Sequence, residues 1–317
     1  MDGNLQHEEK ELTELLLPLL KKYREKFLQT ATKIKDETVS DTVHDLRVSI
    51  RRLRALITLF NDISSKLKPK AFNRALRRLL KPYGSLRDQY IQMNILKASI
   101  SQDEQFLNPY LDRLNKKVAK LENILKKRIK TIDLSGVEDL LGRLINLNKI
   151  QIPRNKRPHG AVEKSIPFFV SRSILQKFLI ACFAYLPLIS KEELKQDFHK
   201  LRVAVKKLRY KVEILQPLLS QDFSEEALSI FRQIQDAMGE THDRDVAMDD
   251  VTSFFRKKDP NILESPAYKK WLENMGAERH KYYKRSLELL KQLEKVNFFH
   301  PEKPAKSDSA ASSSSKD

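Results

Sequence analysis

An all-helical protein built from two related units is predicted by three observations. Leu, Lys, Arg, Glu and Ala dominate long stretches and glycine is scarce, with seven residues in 317, a balance that favours helix over sheet. No sustained alternation of Val, Ile and Thr marks a strand. An eleven-residue basic segment recurs at a fixed offset, which points to an internal duplication.

Taken in order, amphipathic periodicity predicts helices near 8–35, 41–61, 68–83, 86–100 and 103–130 in the first unit, with another near 135–147. The second unit repeats the succession near 166–187, 191–217, 223–238, 242–257 and 265–296. Breakers separate many of them: Pro69, Pro82 with Gly84, Pro109, Pro217, Gly239 and Pro260. Pro18 and Pro187 each mark a kink or an end. The first unit therefore spans about 8–147 and the second about 165–298, joined by a connector at about 148–164 that carries two prolines and several basic residues. From 301 to 317 the chain is rich in Ser, Ala and Lys with almost nothing apolar, the composition of a disordered tail.

Sixty Lys and Arg against 42 Asp and Glu give a formal net charge of +18. Such an excess points to polyanionic partners. The single cysteine, Cys182, excludes an intrachain disulfide and a Cys-based zinc site, and suits a reducing cytoplasm. The opening MDGNLQHEEKE is acidic, unlike a signal peptide. The longest apolar stretch, Ile166–Ile189, is interrupted by Arg172, Gln176 and Lys177, which favours a core helix over a membrane span.

The recurring segment runs His44-Asp-Leu-Arg47-Val-Ser-Ile-Arg51-Arg52-Leu-Arg54, and again His199-Lys-Leu-Arg202-Val-Ala-Val-Lys206-Lys207-Leu-Arg209, an offset of 155 residues. The same offset carries Arg77 onto Arg232, Gly84 onto Gly239 and Asp88 onto Asp243, and 44–88 shares ten identities with 199–243 without a gap. At ~100° per residue, His44, Arg47, Arg51 and Arg54 fall within an arc of roughly 80°. Leu46, Ile50, Leu53, Ile57 and Phe60 form the adjoining apolar face, and the second unit sets His199, Arg202, Lys206 and Arg209 beside Leu201, Val205, Leu208 and Val212. An ordinary solvated face mixes signs, yet 199–211 holds six Lys or Arg and no acid, and 68–87 holds seven and no acid. Lys70, Arg74, Arg77 and Lys81 again share one stripe. Rows of uncompensated guanidinium groups are completed by an anion, and the Arg fork matches phosphate oxygens bidentately. The units are unequal: the second carries Glu225, Glu226 and Asp236 in this stretch and keeps only Arg232. Any basic track is therefore heavier on the first unit. Beside several Arg, an imidazolium at His44 or His199 is disfavoured until an anion arrives. Gly84 and Gly239 suit helix C-termini, and the Asp that follows each is expected to pair with a neighbouring Arg.

These residues resemble the CHAD family, the conserved histidine α-helical domain, through H-x-L-R-V-x-[IV]-[RK]-[RK]-L-R twice and G-x-x-[RH]-D twice. The resemblance covers 8–298. The first copy departs from the family's R-D-x-D in having Tyr90 where the second has Asp245. It implies two pseudo-symmetric helical bundles enclosing a basic groove or pore, and binding of inorganic polyphosphate, in bacteria at polyphosphate granules. Carried over by motif match, the ligand contacts are His44, Arg47, Arg51, Arg54, His199, Arg202, Lys206 and Arg209. The match across units adds Arg77 and Arg232 and then Lys22 and Lys177 on the preceding helices, and the basic stripe adds Arg74 and Lys81. No E-x-E-x-K strand motif of a fused triphosphatase is present, so neither catalytic residues nor a cofactor or metal is expected.

Three alternatives compete. RNA suits the charge, but the two basic stripes carry no aromatic residue on which bases stack. A metal-dependent phosphohydrolase could use His44-Asp45 and His242-Asp243, yet Asp45 becomes Lys200 and Arg87 becomes His242 across the repeat, so neither pair recurs. Basic amphipathic helices can also lie on anionic lipid, although here their apolar faces are needed for a core.

Overall fold

The computed structural model describes residues 2–36, 40–63, 69–99, 102–130, 138–139, 141–142, 175–176, 179–216 and 221–295. All regular structure among them is helical. We label the seven long helices α1 (Asp2–Asp36), α2 (Ser40–Ile63), α3 (Pro69–Ser99), α4 (Asn108–Lys130), α5 (Lys195–Leu215), α6 (Gln221–Lys258) and α7 (Pro266–Lys295). Short 3-10 turns at Gln102–Leu107, Leu188–Ser190 and Pro260–Glu264 link them. The expected connector at 148–164, the tail at 301–317 and Lys177 lie outside the described residues, as does nearly all of the helix expected near 135–147.

The apolar stripes of the repeated segment form where periodicity places them. On α2, Leu46, Ile50, Leu53, Ile57 and Phe60 are all buried; on α5, so are Leu201, Val205, Leu208 and Val212. Neighbours in sequence pack on each other: α1 on α2, α2 on α3, α3 on α4, α5 on α6 and α6 on α7. Across the halves, α2 packs against α5 and α3 against α6, and the Gln102–Leu107 turn packs against α7. Polar bonds pin both seams. Arg52 donates to Glu213 at 2.9 Å between α2 and α5, and Gln92 donates to Asp250 at 2.9 Å between α3 and α6. A large core draws on all seven helices. A smaller aromatic core forms where Leu96, Tyr110 and Leu114 meet Val251, Phe255 and Trp271, and there the Trp271 indole donates to Ser99 at 3.2 Å.

Two expected breaks are absent. The segments 68–83 and 86–100 form the single helix α3, and 223–238 with 242–257 form α6. Gly84, Gly239 and Pro82 are therefore interior residues, not helix ends. A helix-interior glycine costs about 1 kcal/mol and a proline about 3. Burial of Leu76, Tyr83, Leu86 and Leu96 on α3, and of Phe231, Ile234, Met238, Val251 and Phe255 on α6, outweighs those local costs. Pro18 likewise lies inside the continuous α1. The remaining prolines act as expected: Pro69 opens α3, α5 ends at Leu215 before Pro217, and Pro260 separates α6 from α7.

Of the apolar stretch 166–189, the described part includes buried Leu175, Leu179, Cys182 and Ile189 but also Ile180 at 61% exposure. Among the described residues no helix is long and apolar enough to cross a membrane.

Candidate functional site

Helices α2, α3, α5 and α6 surround a cavity of about 490 Å³, within the size range of small-ligand sites. From α2 it is lined by His44, Arg47 and Arg51; from α5 by His199, Arg202 and Lys206. Helix α3 adds Arg87, Asp88, Ile91 and Gln92, and α6 adds His242, Asp243 and Val246. Twelve of these thirteen residues form six pairs separated by 155 positions, and only Gln92 stands outside that register. The repeat offset thus reappears in space as the two sides of one cavity.

Five Arg and Lys side chains face two carboxylates. Arg47 is nearly buried, at 9% exposure. Its Nη1 donates to the Tyr83 carbonyl at 2.9 Å, and its Nη2 lies 3.9 Å from Asp88. That bond crosses from α2 to α3 at Gly84, where an added Cβ would meet Arg47 Nη1 at 3.3 Å. Gly84 is thus a point of close approach within a helix. No carboxylate among the described residues pairs with Arg51 or Lys206 within 4.0 Å.

The crowding shows in the ionisation of the group. Burial, reinforced by Arg51, Arg202, Arg47 and Arg209, drops the Lys206 ammonium to about 7. Burial and Arg51 hold Arg47 down to about 10 against the opposing pull of Asp88. Arg202 is lowered by burial while Asp243 pulls the other way. The His242 imidazole is pushed down to about 4 by burial, Arg202 and His199, and its ring centroid lies 5.0 Å from that of His199. His44 is lowered by burial and then by Arg87, and His199 by burial and then by Arg202. Asp243 is raised by burial despite Arg202. Positive charge in the cavity is thus held at a cost, which a bound anion would relieve.

The structure gathers six of the sequence-derived candidates here: His44, Arg47, Arg51, His199, Arg202 and Lys206. Among the described residues it does not bring the other candidates to the cavity. Arg54 is half-buried at the α2–α3 seam, where its Nε reaches Asn73 at 3.4 Å. Arg209 lies over the Tyr210 ring, 4.9 Å from its centroid. Arg74, Arg77, Lys81 and Lys22 are exposed on α3 and α1, and Arg232 is exposed on α6. A stripe on an isolated helix is wider than the part that faces a partner, so the end of the row at Arg54 and Arg209 runs past the cavity rim.

Arg87 and His242 are the contributions that the stripes did not reveal. Their signal was present in the paired G-x-x-[RH]-D, but reading Gly84 and Gly239 as helix ends placed them in the first turns of separate helices, away from the basic stripes. The Asp–Arg pairing expected there is seen between Asp88 and Arg47. On α6, Asp245 accepts from Arg279 of α7 at 2.7 Å and pairs with Lys195 at 3.0 Å, so the acidic side chain that Tyr90 replaces on α3 holds helices together. Among the described residues no group of three His, Cys, Asp or Glu is placed to hold a metal ion.

Comparison with known proteins places the chain among relatives. The family model described as "CHAD domain" matches residues 18–252. No curated protein sequence matches. Among solved structures, the CHAD domain from the plant Ricinus communis superposes with a TM-score of 0.65 at 17% identity, covering 90% of this chain and 92% of that one. PptA from Streptomyces chartreusis gives a TM-score of 0.65 at 14% identity, covering 89% of this chain and 98% of that one. At these identities the likeness concerns the fold.

Proposed function

The chain belongs to the CHAD family, and from that premise we propose that it binds inorganic polyphosphate, without chemical conversion, in the cavity between α2–α3 and α5–α6. The duplicated helix pairs act as two pseudo-symmetric walls of one basic site. Arg51 and Lys206, opposite each other in the repeat register and without carboxylate partners among the described residues, take phosphate oxygens together with Arg202 and Arg87. Arg47 supplies charge while tying α2 to α3.

One observation carries this reading: cations from both units line the same cavity and hold one another's pKa values down. Phosphate groups fit that environment, because each offers several acceptor oxygens to guanidinium forks and a linear polyanion releases counterions as it binds. Among the described lining residues there is no Phe, Tyr or Trp, so a base would find no such ring to stack on. Association with polyphosphate granules would follow from the same binding.

The test is a salt-titrated binding assay with long-chain polyphosphate, pyrophosphate and RNA, on the native chain and on Arg51→Ala with Arg202→Ala. Native affinity for polyphosphate should fall steeply with salt, and the double variant should flatten the slope of log K against log salt by about 2, roughly one per lost phosphate contact. Helicity should persist, since Arg51 and Arg202 are only half-buried. RNA displacing polyphosphate at equal phosphate concentration, or unchanged polyphosphate binding by the folded double variant, would overturn the assignment.

A further inference from the structure

The cavity is nearly symmetric, but the surface beside it is not. On α3, roughly two to four turns before Arg87, Arg74, Arg77, Arg78 and Lys81 are all exposed. The repeat register carries these positions onto Ser229, Arg232, Gln233 and Asp236 of α6, which are exposed as well. Four cations on one side thus face a balanced set of one cation and one carboxylate on the other. Gln233 also accepts a bond from Arg285 of α7 at 3.3 Å, and Arg285 lies 3.4 Å from Glu288.

The basic face connects with the cavity. Arg47 reaches Tyr83 and Arg54 reaches Asn73, so α2 and α3 run antiparallel, and moving from Arg47 toward Arg54 moves back along α3 from Arg87 toward Arg77. At ~1.5 Å per residue, Arg54 lies roughly 5 Å along α2 from Arg51. Burial lowers the Arg54 guanidinium, and Arg77 and Arg51 lower it further, so these three charges sense one another across the rim. Among the described residues no carboxylate pairs with Arg54, Arg74, Arg77 or Arg78 within 4.0 Å. Arg54 and Arg77 have the cationic counterparts Arg209 and Arg232 in the other half, but Arg74, Arg78 and Lys81 have none. A row of like charges that continues out of an anion cavity more heavily on one side is a path for a linear anion longer than the cavity.

We propose that Arg54 and Arg77, with Arg74, Arg78 and Lys81, form a second anion subsite, so that a polyphosphate chain seated in the cavity leaves over the α2–α3 face and not over α5–α6. This rests on the polyphosphate reading of the cavity. Its consequence is selectivity by length. Tripolyphosphate engages the cavity alone, whereas a long chain engages cavity and rim at once and gains the effective concentration of a tethered second contact.

The experiment uses the full chain with Arg74→Ser, Arg78→Gln and Lys81→Gln, exposed positions at which substitution rarely disturbs folding. Affinities for tripolyphosphate, long-chain polyphosphate and single-stranded RNA are measured at several salt concentrations. Long-chain affinity should fall about ten-fold with a shallower salt slope, while tripolyphosphate changes less than two-fold. Arg51→Ala with Arg202→Ala should weaken both polyphosphates, and failure of that control would strike the cavity reading itself. The rim subsite is overturned if long-chain and tripolyphosphate affinities respond alike to the triple variant, or if only RNA binding suffers. A symmetric variant, Ser229→Arg with Gln233→Arg and Asp236→Lys, should tighten long-chain binding by opening a second exit, and unchanged affinity would contradict the length mechanism.

Discussion

Lys206 sits where five cationic side chains of the cavity are nearest their limit. With its pKa near 7 instead of 10.5, it is about half neutral at physiological pH, whereas an unfolded chain would carry the proton up to pH ~10. The unfolded state therefore binds more protons across this window, and stability of the free protein rises as pH climbs from 7 toward 10 through this group. An anion reverses the preference by favouring the charged ammonium, so binding takes up protons. Calorimetry at pH 8 in two buffers of different ionisation heat should give different apparent enthalpies for long-chain polyphosphate, and Lys206→Gln should remove most of that difference. Affinity should fall as pH rises from 7 to 9 in the native chain and change little in the variant. A buffer-independent enthalpy in the native chain would mean that Lys206 stays charged in the free state. His242, already held near 4, remains neutral throughout this range and acts as a polar lining group in the free cavity.

At the scale of the helix, local and tertiary preferences disagree at Pro82, Gly84 and Gly239. Element type was legible from periodicity, because burying one face at 3.6-residue spacing is a property of the segment itself. The joining of four expected helices into α3 and α6 was not, because it depends on what the far side of each glycine touches. The two glycines should respond differently to alanine. At Gly239 nothing lies within 4 Å of an added Cβ, so Gly239→Ala should stabilise by about 0.5–1 kcal/mol through helix propensity and unfolded-state entropy. At Gly84 the added methyl meets Arg47 Nη1 at 3.3 Å, and the gain should vanish or reverse as the guanidinium retreats from the Tyr83 carbonyl. Urea unfolding midpoints at constant m value report this. Equal stabilisation by both substitutions would show that Arg47 yields without cost. Gly84→Ala should also weaken polyphosphate binding, whereas Gly239→Ala changes the cavity wall little.

Across the whole molecule, the recurring segment brings residues of both halves to one cavity. Contacts of α2 with α5 and α3 with α6 bring equivalent positions to face one another, so a residue and its copy 155 positions later line one volume. Which residues were basic, and that an anion would suit them, could be read from charge segregation alone. Which members of each stripe reach the shared volume could not, because that depends on how two separately legible units dock. Arg54 and Arg209 continue the stripes on paper but pass the rim in space, and Arg87 and His242 enter from the next helix. The unequal flanks were readable in Glu225, Glu226 and Asp236, but their position beside the cavity exit depends on the antiparallel register of α2 and α3.

The central claim is that one ligand is held from both halves, and a double-mutant cycle on Arg51 and Arg202 tests it most directly. Long-chain polyphosphate affinities of the native chain, Arg51→Ala, Arg202→Ala and the double variant would be measured at fixed salt and pH. Two residues acting on the same bound anion should show a coupling energy of at least about 0.5 kcal/mol. Strict additivity, within about 0.3 kcal/mol, would assign the two arginines to separate ligands and contradict a shared cavity.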